Sequence, residues 1–451
     1  PRSRAGNLGV TVDGASGAAD PSSPDAGIPQ LTEHLFRHES GKLVSVLTGI
    51  FGIARLQLVE DVVQESLIRA FQTWPYDGVP KNPPAWLMQT ARNLALDVIR
   101  REKLFYTKQA EITASLELRL SEPSGDDAPK FAEEIKDGRL RLIFACCHPT
   151  LALEAQTALA LKTLCGFSPG EIAKAFLSTE AAVAKRLTRA RQSIQEQGIP
   201  FEIPSGAELS ARLDAVLQVV YLLFNEGYKA STGESLVRAD LCHEAIRLGV
   251  LLVEHPASDQ PRTHALLALM LLNAARLSGR SDAEGNLLRL QEQDRASWDP
   301  TLIARGLQHL RHAAAGRELS EYHLQAGIAA CHCAAPDDDS TDWRLILEHY
   351  DQWLTISDSP IVALNRAVAV AKVHGAAAGI AAVQAIPEQR QLQAYYLTHA
   401  VLGELESQLG DDDAAVVHLE RALQLTDLPS ERVFLGKKLR QCAERSAIRL
   451  S

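Results

Sequence analysis

DVVQESLIRAFQTW (Asp61–Trp74) runs into NPPAWLMQTARNLALDVIRREK (Asn82–Lys103), and about sixty residues later comes GFSPGEIAKAFLSTEAAVAKRLTRAR (Gly166–Arg191). These stretches decide the fold class. In the first, Val63, Leu67, Phe71 and Trp74 recur at helical spacing and predict a buried stripe. Asp61, Gln64, Glu65 and Arg69 fall on the opposite, mainly acidic face, which a solvated helix would also show. The next segment predicts a helix over Trp86–Lys103 that buries Leu87, Ala91, Leu94 and Val98. Its outer face carries Gln89, Arg92, Asn93, Asp97, Arg100 and Arg101, cations and amides able to meet phosphates and base edges. Trp86 follows the rigid pair Pro83-Pro84 and either stacks on an unpaired base or belongs to the core.

In the third stretch, Ser168-Pro169-Gly170-Glu171 is a capping box with proline at the first helical position. A short helix to Phe176, a turn, and a second helix capped by Thr179 make helix-turn-helix syntax, with Ile172, Ala173, Val183 and Leu187 as the contacts between the two. Thr179, Glu180, Ala181 and Ala182 then stand at the end that approaches base edges. Lys185, Arg186, Arg189 and Arg191 are placed to meet phosphates or bases.

Around these stretches the chain of 451 residues has room for several domains. Its composition, 46% hydrophobic with 5% aromatics, suits an all-α protein. A net charge of −10 excludes a protein that coats nucleic acid throughout, while leaving local basic patches on an acidic body. No apolar run reaches the roughly 18 residues of a membrane span and no secretory core is present, so no membrane partner is expected. Seven cysteines without a secretory signal point to reduced thiols and a cytoplasmic location.

The expected organisation is a disordered arm over 1–28, a helical domain over 29–104, a linker over 105–138 and a helix-turn-helix domain over 139–197. A second, Pro-bearing linker (198–206) and a helical-repeat extension (207–451) complete it. Near the end, Leu402-Gly403, Gly410, Ala415, Leu419, Ala422 and Pro429 follow tetratricopeptide spacing, and Gly375 lies 35 residues before Gly410, near the 34-residue period. Neither Cys146-Cys147-His148 nor Cys331-His332-Cys333 has the paired spacing of a structural zinc site; buried helical cysteine is the simpler reading. Asn225, Glu226, Asp240, Glu244, Asp294 and Arg295 line a pocket or, more simply, form ion pairs within the repeats. No phosphate loop or nucleophile elbow is present, so no catalytic residue, cofactor or metal is assigned.

Together the first two domains resemble extracytoplasmic-function sigma factors. By that resemblance Asp61, Gln64, Glu65 and Arg69 would contact core RNA polymerase. Trp86, Arg92, Asn93, Asp97, Arg100 and Arg101 would capture and melt the promoter minus-ten element, with the loop Pro75 to Pro84 holding its flipped base. The Gly166–Arg191 unit would read the minus-thirty-five element. It departs from the family at Ala184, where a Lys is usual, which leaves one phosphate contact unsupported. YLLFNEGY (Tyr221–Tyr228), RADLCHEAIRLG (Arg238–Gly249) and QEQDRASWD (Gln291–Asp299) resemble the tetratricopeptide-type extension of one sigma-factor subgroup. Members of that subgroup generally lack a dedicated anti-sigma partner, which implies that the extension itself adjusts activity. The short link over 198–206 keeps the extension at high effective concentration near the sigma domains, so an intramolecular contact is expected that either masks the DNA-reading helices or, as the resemblance favours, positions them. A helix-turn-helix regulator with a ligand- or peptide-sensing repeat domain is the alternative; it leaves Asp61–Lys103 unexplained.

Overall fold

The computed structural model describes residues 40–105, 137–176, 178–197, 207–230, 237–280, 282, 288–387, 392–426 and 429–450. The expected arm (1–28), most of the first linker and the 198–206 linker lie outside them. The described residues are α-helical with short 3-10 turns and no strand. None of their helices is long and apolar enough to cross a membrane.

A first helix, α1, includes residues 40–51. It is followed by α2 (Leu56–Asp77) and α3 (Pro83–Phe105). In α2 the buried residues are Leu56, Val59, Val62, Val63, Ser66, Leu67, Ala70 and Trp74. Phe71 does not join them: about 100° round the helix from Ala70, it is 52% exposed, against the sequence expectation. In α3 the stripe is Leu87, Ala91, Ala95 and Ile99. Leu94 and Val98, expected to be buried, are only half-buried. This i, i+4 ladder turns about 40° per step and so winds round α3, leaving Leu94 and Val98 at its margin. The Asn82 side chain accepts from the Ala85 amide and caps α3 at its two prolines. α2 continues past Pro75 to a cap at Gly78, φ 83°, so the connecting loop is shorter than the Pro75–Pro84 expected.

Next come α4 (Gly138–Cys146), α5 (Leu153–Leu164), α6 (Pro169–Ala175) and α7 (Glu180–Gln197). The extension follows as α8 (Ala207–Tyr228), α9 (Ala239–Glu254), α10 (Pro261–Ala274), α11 (Pro300–Ala313), α12 (Glu321–Ala334) and α13 (Trp343–Ile356). It ends with α14 (Pro360–His374), α15 (Ala376–Gln384), α16 (Tyr396–Leu409), α17 (Asp412–Leu425) and α18 (Pro429–Leu450). α10 buries every residue from Ala265 to Leu272, as a helix walled in on all sides must.

One apolar cluster runs without a break from Leu43 in α1, through α2 to α10, to Ala326 and Ala329 in α12. Beyond it the core divides into three small clusters, on α12–α14, α14–α16 and α16–α18. Such chains of local cores mark elements that pack on neighbours in sequence. Gly410 closes α16 in the left-handed region, φ 82°, and Asp411 caps α17 by accepting from Ala414. A Cβ on Gly403 would lie 2.9 Å from Leu419 Cγ, so α16 and α17 touch nearly backbone to backbone. Gly375, also at positive φ, turns α14 into α15.

Candidate functional site

The outward face of α2 holds Asp61, Gln64 and Arg69 exposed and Glu65 half-buried. Arg69 pairs with Glu65 at 3.1 Å and Gln57 donates to Asp61 at 2.7 Å. Such exposed pairs are worth little to stability, so the face is free to exchange them for a partner's groups. Beside it, Ile68 and Phe71 expose apolar surface, 43% and 52%. Sequence reasoning missed both, because it placed Phe71 in the core.

On α3, Gln89, Asn93, Asp97, Arg100 and Arg101 are exposed along one side. Gln89 donates to Asn93 at 3.0 Å, and Arg100 meets Asp97 at 3.4 Å. Arg92 is half-buried at the margin of that side. Trp86 meets the buried Trp74 edge-on, ring centroids 5.6 Å apart, with part of its surface still open. It is anchored to the core by one edge and presents the rest of its ring at the start of α3.

The helix-turn-helix is built as its residues require. Ser168 Oγ accepts from the Glu171 amide, and the Glu171 carboxylate accepts from the Ser168 amide at 2.6 Å. Thr179 Oγ1 accepts from the Ala182 amide and starts α7. Ile172, Ala173, Val183 and Leu187 are all buried between α6 and α7. Thr179, Glu180, Ala181, Ala182, Lys185 and Arg189 are exposed.

Two of the four α7 cations face inward. Arg186 pairs with Glu154 of α5 at 2.6 Å. Arg191 donates to Glu60 Oε2 of α2 at 2.7 Å, with both side chains mostly buried, and Thr163 of α5 donates to the other Glu60 oxygen at 2.7 Å. In this arrangement Arg191 is an interdomain tie and not an open phosphate contact. Its partner lies 131 positions away, so no local pattern could announce it.

A second set of ties joins the helix-turn-helix to the extension. Arg139 of α4 pairs with Glu244 of α9 at 2.6 Å, and Arg247 of α9 with Asp137 at 2.7 Å. The Arg139 guanidinium and Arg247 hold the Glu244 carboxyl below its ordinary range against the opposing effect of burial. Arg238 bridges Glu226 and Glu171, the latter being the capping-box carboxylate itself. Arg212 donates to the Phe144 carbonyl in the open last turn of α4. Glu226 and Glu244 thus form ion pairs, Asp294 caps the turn at Ala296, and Arg295 donates to the carbonyls of His332 and Ala335.

Burial pushes the thiols of Cys146 and Cys147 well above their usual range. It pushes Cys333 up to about 11 and His332 down to about 4, the latter with help from Arg276 and Arg295. A buried thiol held protonated is a poor metal ligand. Among the described residues the His/Cys/Asp/Glu grouping compact enough for an ion is instead His264, His309 and His312, to which the sequence reading gave no role.

Three family models match this chain: sigma-70 region 2 over residues 35–105, sigma-70 region 4 over 141–194, and a family of unknown function, DUF6596, over 212–314. An uncharacterized protein of Rhizobium meliloti is 39% identical over 395 residues, covering 87% of this chain and 92% of its own length. No solved structure matches. The region 2 match spans α2 and α3, the segment that a helix-turn-helix regulator leaves without a role. With region 2 and region 4 in this order on the helices just described, the chain belongs to the sigma-70 family, as a sigma factor of extracytoplasmic-function type that directs promoter-specific transcription.

Proposed function

We propose that this sigma factor rests in a closed form, in which the Arg191–Glu60 tie holds regions 2 and 4 together while the tetratricopeptide-like extension grips region 4, and that it must open to read a promoter. Asp61, Gln64, Glu65 and Arg69, flanked by Ile68 and Phe71, dock on core RNA polymerase. Trp86, Arg92, Asn93, Asp97, Arg100 and Arg101 engage the minus-ten strand, while Thr179 to Ala182, Lys185 and Arg189 engage the minus-thirty-five duplex.

The observation that carries the closed form is the contact of Arg191 with Glu60 at 2.7 Å. Elements centred near −10 and −35 lie about 25 base pairs apart, about 85 Å of duplex at 3.4 Å per pair. Helices of 22 and 18 residues, α2 and α7, would cover only about 60 Å end to end. While they touch at Glu60, α3 (packed along α2) and the start of α7 cannot reach both elements. Opening is possible because the segment between Phe105 and Gly138, fully extended at up to about 3.5 Å per residue, would span about 110 Å. The extension is fixed to region 4 by Arg139–Glu244 and the Glu171–Arg238–Glu226 bridge, so the two move as one unit when the Glu60 tie opens.

Glu60→Gln tests this reading because Glu60 is mostly buried against Arg191 and Thr163 and is not itself one of the proposed DNA or polymerase contacts. Loss of the mostly buried pair should raise promoter affinity of the free protein by about tenfold, a shift of about 1.4 kcal/mol in the closing equilibrium. Unchanged or weaker promoter binding would remove the closed form from the account.

The roles on α7 separate in a second experiment. Lys185→Ala and Arg189→Ala should each weaken binding to all promoter sequences and reduce the salt slope by about one. Changes at Glu180 to Ala182 should alter sequence preference instead. Equal loss on every sequence from both sets would show the recognition register to be misassigned.

A further inference from the structure

Within the extension, α10 and α11 bring three histidines together. His264 stands in the first turn of α10; His309 and His312, one turn apart, share a face of α11. The two helices approach so closely that a Cβ on Gly306 would lie 2.7 Å from Leu272 Cγ. His264 Nδ1 lies 2.8 Å from His309 Nδ1, with the rings stacked at 5.1 Å. His312 meets His264 edge-on, also at 5.1 Å. One ring nitrogen from each of the three falls within 4.8 Å of the others.

The hydrogen-bond geometry favours ligation. Asp259 Oδ1 lies 2.8 Å from His264 Nε2. A carboxylate there takes the Nε2–H, which leaves the Nδ1 lone pair facing inward, as the outer partner of a metal-bound histidine does. Simple ring packing is represented elsewhere by His399 and His418, whose Nδ1 atoms lie 3.0 Å apart. That pair has no third imidazole in a compact grouping, and the His399 Nε2 faces a backbone carbonyl, Gln393 O, at 3.3 Å.

We propose that His264, His309 and His312 form a binding site for a first-row transition metal ion, foremost Zn2+, with Asp259 orienting His264. Three neutral imidazoles suit Zn2+ and leave its fourth position open to water or an exogenous ligand. The ion would brace α10, the most enclosed helix of the extension, against α11. All three ligands lie inside the 212–314 segment that matches the family of unknown function. This site stands independently of the closed form.

The test is titration of the chelator-stripped full chain with Zn2+ by calorimetry, and with Co2+ by its visible ligand-field absorption. One ion per chain is expected. His312→Ala, at an exposed position where folding should survive, and His309→Ala should each lower affinity by at least about tenfold, and Asp259→Asn by about tenfold. His399→Ala should leave it unchanged. No saturable binding by the wild type, full binding by His312→Ala, or loss on His399→Ala would each overturn the assignment.

Discussion

Reversing the charge at both Asp61 and Glu65, to Lys, is expected to weaken binding of core RNA polymerase by about 100-fold, close to 3 kcal/mol, while DNA binding by the helix-turn-helix is retained. The two carboxylates share one side of α2, with the buried seam of Val63, Leu67, Ala70 and Trp74 on the other. Their substitution therefore leaves the core intact. Ile68 and Phe71 enlarge the same side with apolar surface, which supports a docking face more than a merely solvated one. Phe71→Ala should then weaken polymerase binding without lowering the melting temperature, the reverse of what truncating a core aromatic does. Pull-down of core enzyme at wild-type strength by the double reversal would reassign this face.

The second large effect is on stability. Gly227→Val should destabilise the protein by about 3 kcal/mol or more, read as a fall in thermal midpoint. A Cβ at Gly227 would lie 2.7 Å from the Cys242 amide nitrogen and 2.9 Å from the Arg238 carbonyl, and backbone cannot step aside as a side chain can. The Arg238 amide also donates to the Gly227 carbonyl at 2.8 Å, so forcing α8 from α9 displaces the residue that bridges Glu171 and Glu226. Promoter binding should therefore change along with stability. A variant with wild-type melting would mean that α8 and α9 have slack the packing does not reveal.

Local signals in the sequence were enough for the helix-turn-helix. The capping box at Ser168, the cap at Thr179 and the four buried contacts between α6 and α7 all act within a few residues of one another. The all-α architecture was legible for the same reason, as were the glycine turns at 375 and 410. Stripe boundaries were less so: Phe71, Leu94 and Val98 are apolar at near-helical spacing, yet each sits beside the seam rather than in it. What the sequence could not give is anything joining distant positions. Glu60 with Arg191, Arg139 with Glu244 and His264 with His309 are ordinary residues until the fold pairs them. Arg191, read as a DNA contact from its place in a basic helix, is engaged by a glutamate in another domain.

In the proposed closed form the two DNA-reading units are held together in the free protein, and they part on the promoter. Fluorescence energy transfer between labels at Gln89→Cys on α3 and Gln192→Cys on α7 measures this directly. Both positions are exposed, and Cys333, the one native cysteine that is not buried, is replaced by Ser to keep labelling specific. High transfer is expected in the free chain, and its loss in the complex with core polymerase and promoter, where the units would stand on the order of 85 Å apart. Low transfer in the free chain, or high transfer retained on the promoter, would contradict it.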